Sequence, residues 1–266
     1  MRRAVFVAFI ALAGNSVASE QVDFADAALK AAVEQRLAVK NPTSEDMRSL
    51  TSLQATSGIV DLSGLEHAVN LESLDLHGNR IVDLSRLADL KNLRVLVLYD
   101  NRIRSLEPLS GLTSLQHLSL YSNAISDIQP LAKLTNLEFL DLHRNCITDI
   151  SSVAGMRKLV HLNLHINKIS DLSPVAALTD LEFADWHNNR ISDISPISDL
   201  TKLVHLHLAD NVISNIRVLS GHQKLQYLHV GNNRIRDVTP LATLTNLKTI
   251  LHYGNPIVNS PALERQ

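Results

Sequence analysis

LVHLNLHINKI, residues 159–169, places leucine first, fourth and sixth, asparagine ninth and isoleucine eleventh. On a helix, His161 and His165 would share a face, as in a zinc-protease motif. However, Leu162 and Leu164 alternate with His161, Asn163 and His165, which is the period of a short strand with one buried face. The frame recurs without a break. Asparagines stand at 79, 101, 123, 145, 167, 189, 211, 233 and 255, each with a leucine eight residues before and an isoleucine two residues after. Nine copies of an L-x-x-L-x-L-x-x-N-x-I frame with a 22-residue period, six of them exact, cannot arise by chance, so each copy is one rung of a solenoid.

The asparagine falls where the chain turns away from its strand, and a buried amide there can satisfy backbone groups that the turn leaves unpaired. Beyond it, Asp171-Leu-Ser-Pro-Val175 has the form of a short helical start, with serine expected as cap and proline in the first turn. A 22-residue repeat leaves too little chain for a full α-helix, so 3₁₀ turns or extended segments are expected on the convex side. A parallel sheet is expected on the concave side.

These repeats resemble the 22-residue leucine-rich repeats of bacterial internalin-like proteins, over about residues 50–258. The resemblance implies a leucine-rich-repeat solenoid with a curved parallel β-sheet and a helical N-terminal cap. Residues 19–49 fit the cap: Phe24, Leu29, Ala32, Val33 and Leu37 have helical spacing, and Pro42-Thr43-Ser44-Glu45 can open a second short helix. Leu50, Leu53, Ile59, Leu62 and Leu65 form one degenerate rung ahead of the nine. The last rung decays, with His252 in a core leucine position and prolines at 256 and 261, and residues 259–266 are read as a tail. The resemblance also implies binding to another protein, often at a host cell surface.

With the leucines inward, three outward columns follow. The first runs Ser73, Val95, His117, Phe139, His161, Phe183, His205, Tyr227, Thr249; the second Asp75, Val97, Ser119, Asp141, Asn163, Asp185, His207, His229, Leu251; the third His77, Tyr99, Tyr121, His143, His165, His187, Ala209, Gly231, Tyr253. Nine of the twelve histidines fall in these 27 positions, which the repeat leaves free to vary. Enrichment there in histidine and aromatic residues points to an interface. The expected protein-binding surface comprises Tyr99, His117, Tyr121, Phe139, Asp141, His143, His161, Asn163, His165, Phe183, Asp185, His187, His205, His207, Tyr227 and His229. The plainer alternative is duplication of an ancestral repeat that happened to carry histidine, but the histidines are not confined to one column.

A second reading makes the patch a metal or small-ligand site. His161 and His165 would lie about 13 Å apart in a strand, too far to share an ion. His143, His165 and His187, stacked on successive rungs with Asp141 and Asp185 beside them, are the candidate metal set, although ladder side chains point in parallel where zinc needs convergence. Carbohydrate stacking on Tyr99, Tyr121, Phe139 and Phe183 is a variant of this reading. Histidine titrates near neutrality, so binding on this face is expected to change between about pH 7.5 and 5.5.

Other features carry less. Basic residues after the asparagine (Arg80, Arg102, Lys168, Arg190, Arg234) are matched by Asp83, Asp127, Asp149, Asp171, Asp193 and Asp237 three residues on, so the flank reads as mutually neutralised rather than as a nucleic-acid stripe. Trp186 beside Ala184 is a large-for-small core swap. No nucleophile elbow, phosphate loop or helical zinc motif is present, so neither an enzyme nor a cofactor is expected.

Composition bounds the rest. The chain has 266 residues, 45% hydrophobic, 4% aromatic, with net charge −2. Met1-Arg2-Arg3, an apolar run over 4–14 and Ser16-Val17-Ala18 read as a signal peptide, residues 1–18. Its removal leaves 23 of the 25 basic residues against 27 acidic ones. The lone Cys146 permits no internal disulfide. The expected product is soluble, secreted or held in the periplasm or cell envelope, with a protein partner and no membrane insertion.

Overall fold

A computed structural model describes residues 20–56 and 58–258. The expected signal peptide and tail lie outside these residues. Ten three-residue strands form one parallel sheet in chain order: β1 (Ser52–Gln54), β2 (Ser73–Asp75), β3 (Val95–Val97), β4 (His117–Ser119), β5 (Phe139–Asp141), β6 (His161–Asn163), β7 (Phe183–Asp185), β8 (His205–His207), β9 (Tyr227–His229) and β10 (Thr249–Leu251). The register is the repeat itself: Phe139 faces His161, and His161 faces Phe183. HLNLH is therefore a strand and its exit.

Short 3₁₀ turns such as Ser173–Ala177 run along the back and complete each rung. Between the two layers the repeat leucines and isoleucines form one continuous core. In the opening stretch, Leu159, Leu162, Leu164 and Ile169 are all buried. A three-residue strand could not survive alone; each rung is stable because its neighbours bury both of its stacking sides.

The asparagines tie the rungs together. Asn167 Oδ1 accepts the Ile147 N–H of the preceding rung at 3.0 Å, while Nδ2 donates to Leu142 O at 3.1 Å and Leu164 O at 3.0 Å. The same three-way bridge repeats from Asn79 to Asn255. The residue before each asparagine adopts positive φ, which reverses the chain out of the strand. At 166 that residue is isoleucine, with φ 53°. A β-branched side chain there costs about 1–2 kcal/mol.

Two details of the turns differ from expectation. Ser173 is the first residue of its 3₁₀ turn and caps nothing; Asp171 Oδ1 accepts the Ser173 N–H at 2.8 Å instead. Asp83, Asp127, Asp149, Asp193 and Asp237 do the same for the residue two places on. The aspartate line thus builds turns, and among the described residues it makes no ion pair with the basic line.

At the N-terminal end, α1 (Ala27–Leu37) buries Leu29 and Val33 against the first rung. Asp26 caps it, accepting from Ala28 and Leu29 N–H, and its other oxygen accepts the Val60 N–H at 2.8 Å. Helix α2 (Ser44–Met47) opens with a capping box between Thr43 and Asp46. Phe24, expected within the helix, precedes it. Its ring fills the space where a Cβ on Gly64 would stand, and Gly64 has φ +100°.

Candidate functional site

The outward columns assemble into two ring ladders on the concave face. In the first column His117, Phe139, His161, Phe183, His205 and Tyr227 stack continuously, with centroids 4.0–4.4 Å apart and planes within 15°. In the third column His77, Tyr99, Tyr121, His143, His165 and His187 stack at 4.1–4.5 Å. This second ladder then changes column. His187 stacks on His207 at 4.2 Å and His207 on His229 at 4.3 Å, both second-column residues. Five imidazoles in succession, from His143 to His229, share one stack.

The change of column has a cause in two third-column residues. Ala209 and Gly231 are small, and the second-column rings lean into the space they leave. A Cβ on Gly231 would stand 2.9 Å from His229 Nε2 and 3.2 Å from the Tyr253 ring. Gly231→Ala should push the His229 ring out of the stack at a cost of about 1 kcal/mol, since the clash is with mobile side-chain ends. A changed His229 ring shift by NMR, with the fold retained, is the expected result; an unmoved ring would show that the glycine is not required.

Polar groups lie below the ring edges. Asp75 Oδ1 is 2.7 Å from His77 Nδ1, Asp141 Oδ1 is 2.7 Å from His143 Nδ1, and Asp185 Oδ1 is 2.7 Å from His187 Nδ1. Asn163 Oδ1 takes the same role for His165 Nδ1 at 2.9 Å. Asp185 is a hub, because His207 Nδ1 lies 3.3 Å from Oδ1 and His165 Nδ1 lies 3.7 Å from Oδ2. Burial works to raise the Asp185 pKa, but hydrogen bonds from His187 and His207 outweigh it and hold the group far below the usual carboxylate range. Burial pushes His165 down to about 4, with His143 adding repulsion. It also lowers His117, His161, His205 and His229. Burial, with Tyr99 beside it, pushes Tyr121 up to about 12.

All the residues expected to form the surface lie on this face. The metal set differs from expectation: the ligand-type atoms that approach one another within 4.8 Å belong to His165, Asp185 and His187, not to His143. Their arrangement serves hydrogen bonding. The His165 and His187 rings stack with centroids 4.3 Å apart and planes 14° from parallel, so their lone pairs run side by side rather than converging as zinc requires. Stacking also uses up the ring faces. Tyr99, Tyr121, Phe139 and Phe183 each have a ring on either side, leaving edges rather than platforms for a sugar.

Two polar features away from this surface belong to the core. His222 is fully buried in the back layer, with Nε2 3.1 Å from Ile197 O and Nδ1 3.2 Å from Val218 O. Trp186 fills the space beside Ala184 as expected, but its buried indole N–H has no partner among the described residues.

Stacked three-residue strands, 3₁₀ backs and an asparagine spine define a leucine-rich-repeat solenoid. The chain matches the family described as Leucine Rich repeats (2 copies) over residues 69–111, 91–133, 113–155, 135–177 and 223–265. Among solved structures, it is similar to the internalin InlF of Listeria monocytogenes, at 30% identity over 91% of this chain and 79% of that one, with a TM-score of 0.78. Internalin C2 from the same organism is 31% identical over 89% and 94%, with a TM-score of 0.64. InlJ of L. monocytogenes is 26% identical over 87% and 50%, with a TM-score of 0.77. Comparison with curated proteins gives no match. The chain belongs to the bacterial internalin-like leucine-rich-repeat family. Folds of this kind are generally protein-interaction modules. No helix among the described residues is long and apolar enough to cross a membrane.

Proposed function

We propose that this protein is an exported binding module that recognises a protein partner through its concave face. The observation that carries this reading is the pair of ring ladders, a continuous surface of histidine, tyrosine and phenylalanine edges that the core does not need. Rigid, half-buried aromatic and amphipathic side chains are what interface hot spots use. Support for export comes from Arg2-Arg3 ahead of the apolar run at 4–14. The Nδ1 contacts to Asp75, Asp141 and Asp185 fix ring orientation before any partner arrives, which lowers the ordering cost of binding. An enzymatic role has no support, since no nucleophile with a base and an oxyanion site is assembled on this face.

The test is capture of partners from the producing bacterium and its surroundings. Protein with its N-terminus at Ser19 is compared with a variant carrying alanine at Phe139, His161, Phe183 and His205, each with and without chelator. Loss of a captured protein on substitution, with no effect of chelator, is expected. Loss on chelation alone would favour a metal-dependent surface, and equal capture by both proteins would place the binding surface elsewhere.

A further inference from the structure

We propose that the concave face is built to take a cationic, donor-rich protein segment, so that the partner inferred above presents lysine or arginine side chains to it. The inference rests on the concave-face reading and follows from where the imidazole protons must be.

An ionised carboxylate only accepts hydrogen bonds. The 2.7 Å contacts of Asp75, Asp141 and Asp185 therefore place the proton on Nδ1 of His77, His143 and His187. The Asn163 oxygen accepts the His165 backbone N–H at 3.3 Å, which orients the amide so that it also accepts from His165 Nδ1. A neutral imidazole protonated at Nδ1 leaves Nε2 as a bare acceptor. Among the described residues, Nε2 of His77, His143, His165 and His187 has no hydrogen-bond partner, and none of these four atoms is buried. The outer edge of the ladder is thus a row of acceptors with rings 4.1–4.3 Å apart from His143 to His187.

Charge points the same way. None of the 27 outward positions holds lysine or arginine, and three hold aspartate. Exposed Glu138 and Glu182 stand just before the central strands, and exposed Asp100 and Asp210 just after the third column. Arg94, Arg144 and Lys248 are the basic residues at equivalent rim positions. A surface rich in acceptors and poor in donors is complementary to ammonium and guanidinium groups, which only donate. Acidification would reverse this at His165 only near pH 4, where burial has pushed its titration and where protonation turns Nε2 from an acceptor into a charged donor. The groups facing the ladder that would modulate the change are Asp75, Asp141, Asp185, Tyr99, Tyr121 and Tyr253, together with His117, His161 and His205 of the parallel stack, Tyr227 beside His207, and Asp100, Asp210 and Arg144 at the rim.

The probes are two short fluorescent peptides, one alternating lysine with serine and one alternating glutamate with serine, titrated at physiological ionic strength. The lysine peptide should bind and the glutamate peptide should not. An Asp141→Asn, Asp185→Asn double variant should weaken lysine-peptide binding about tenfold, whereas the charge-matched Asp149→Asn, Asp171→Asn variant on the back leaves it unchanged. Preference for the glutamate peptide, or equal loss in both double variants, overturns the inference. Should the concave double variant fail to fold, ¹⁵N spectra of the intact protein still decide, because protons on Nε2 of His143 and His187 would overturn it. Continued partner loss in the alanine variant of Phe139, His161, Phe183 and His205 would then leave the concave-face function standing without its cationic ligand.

Discussion

Asn167→Ala should lower the unfolding free energy by about 3–5 kcal/mol, a large share of what a typical domain possesses. The side chain bridges two rungs through three hydrogen bonds. Leu142 O and Leu164 O would each keep one partner, because Asn145 and Asn189 also donate to them. The Ile147 N–H would have none, and an orphaned buried donor costs about 1–3 kcal/mol. The two lost carbonyl bonds and the cavity supply the rest. Asn167→Asp should be no better: it can still accept from Ile147 but turns a second oxygen toward two carbonyls. Urea unfolding is the measurement. A loss below about 1 kcal/mol would mean that the amide does not bridge the rungs.

Acidification should be nearly as damaging. Burial holds His165 near 4, and His117, His161, His205, His222 and His229 also below the usual 6.5. Between pH 6.5 and the folded values the unfolded chain binds more protons than the folded one, so stability falls as pH falls through that window. It is fully present above 6.5. His165 alone contributes on the order of 3 kcal/mol, at about 1.4 kcal/mol per pH unit. Asp185, whose folded pKa is depressed, acts only further down, once pH drops below the range where an unfolded aspartate titrates. Urea midpoints at pH 7 and near pH 4.5 should differ markedly, and His165→Asn should shrink the difference. A flat profile would show that the imidazoles are freely hydrated.

Most of the backbone was legible because the repeat states its own register. Once Asn79 to Asn255 fall 22 residues apart, strand, turn and outward columns follow from a period of two. Thr43, Asp46 and Leu29 likewise behave as cap and helix residues should. The misreadings share a physical origin. The charge balance between Asp171 with its counterparts and the basic line is visible in a sequence, whereas the Asx turn each aspartate makes two residues on is a matter of backbone geometry. Which residues share a face could be read from the columns, but ring tilt could not. The ladder's move from His187 to His207 depends on the emptiness of Ala209 and Gly231, and a small residue is easily taken for a gap. Asp185 could be placed beside the His143, His165 and His187 column, but its reach to His165 and His207 crosses rungs and columns together and shows only in the structure.

The stack also has a mechanical side. Hydrogen-bonded strands lie about 4.8 Å apart, yet the rings above them meet at 4.0–4.5 Å. The ring side of the sheet is therefore shorter than the backbone that carries it, and rings already in stacking contact limit how far the horseshoe can close. Shortening them by alanine substitution should tighten the arc, and charging them by protonation should spread it. A partner seated along the rings would then sense the state of the whole row through a change in curvature.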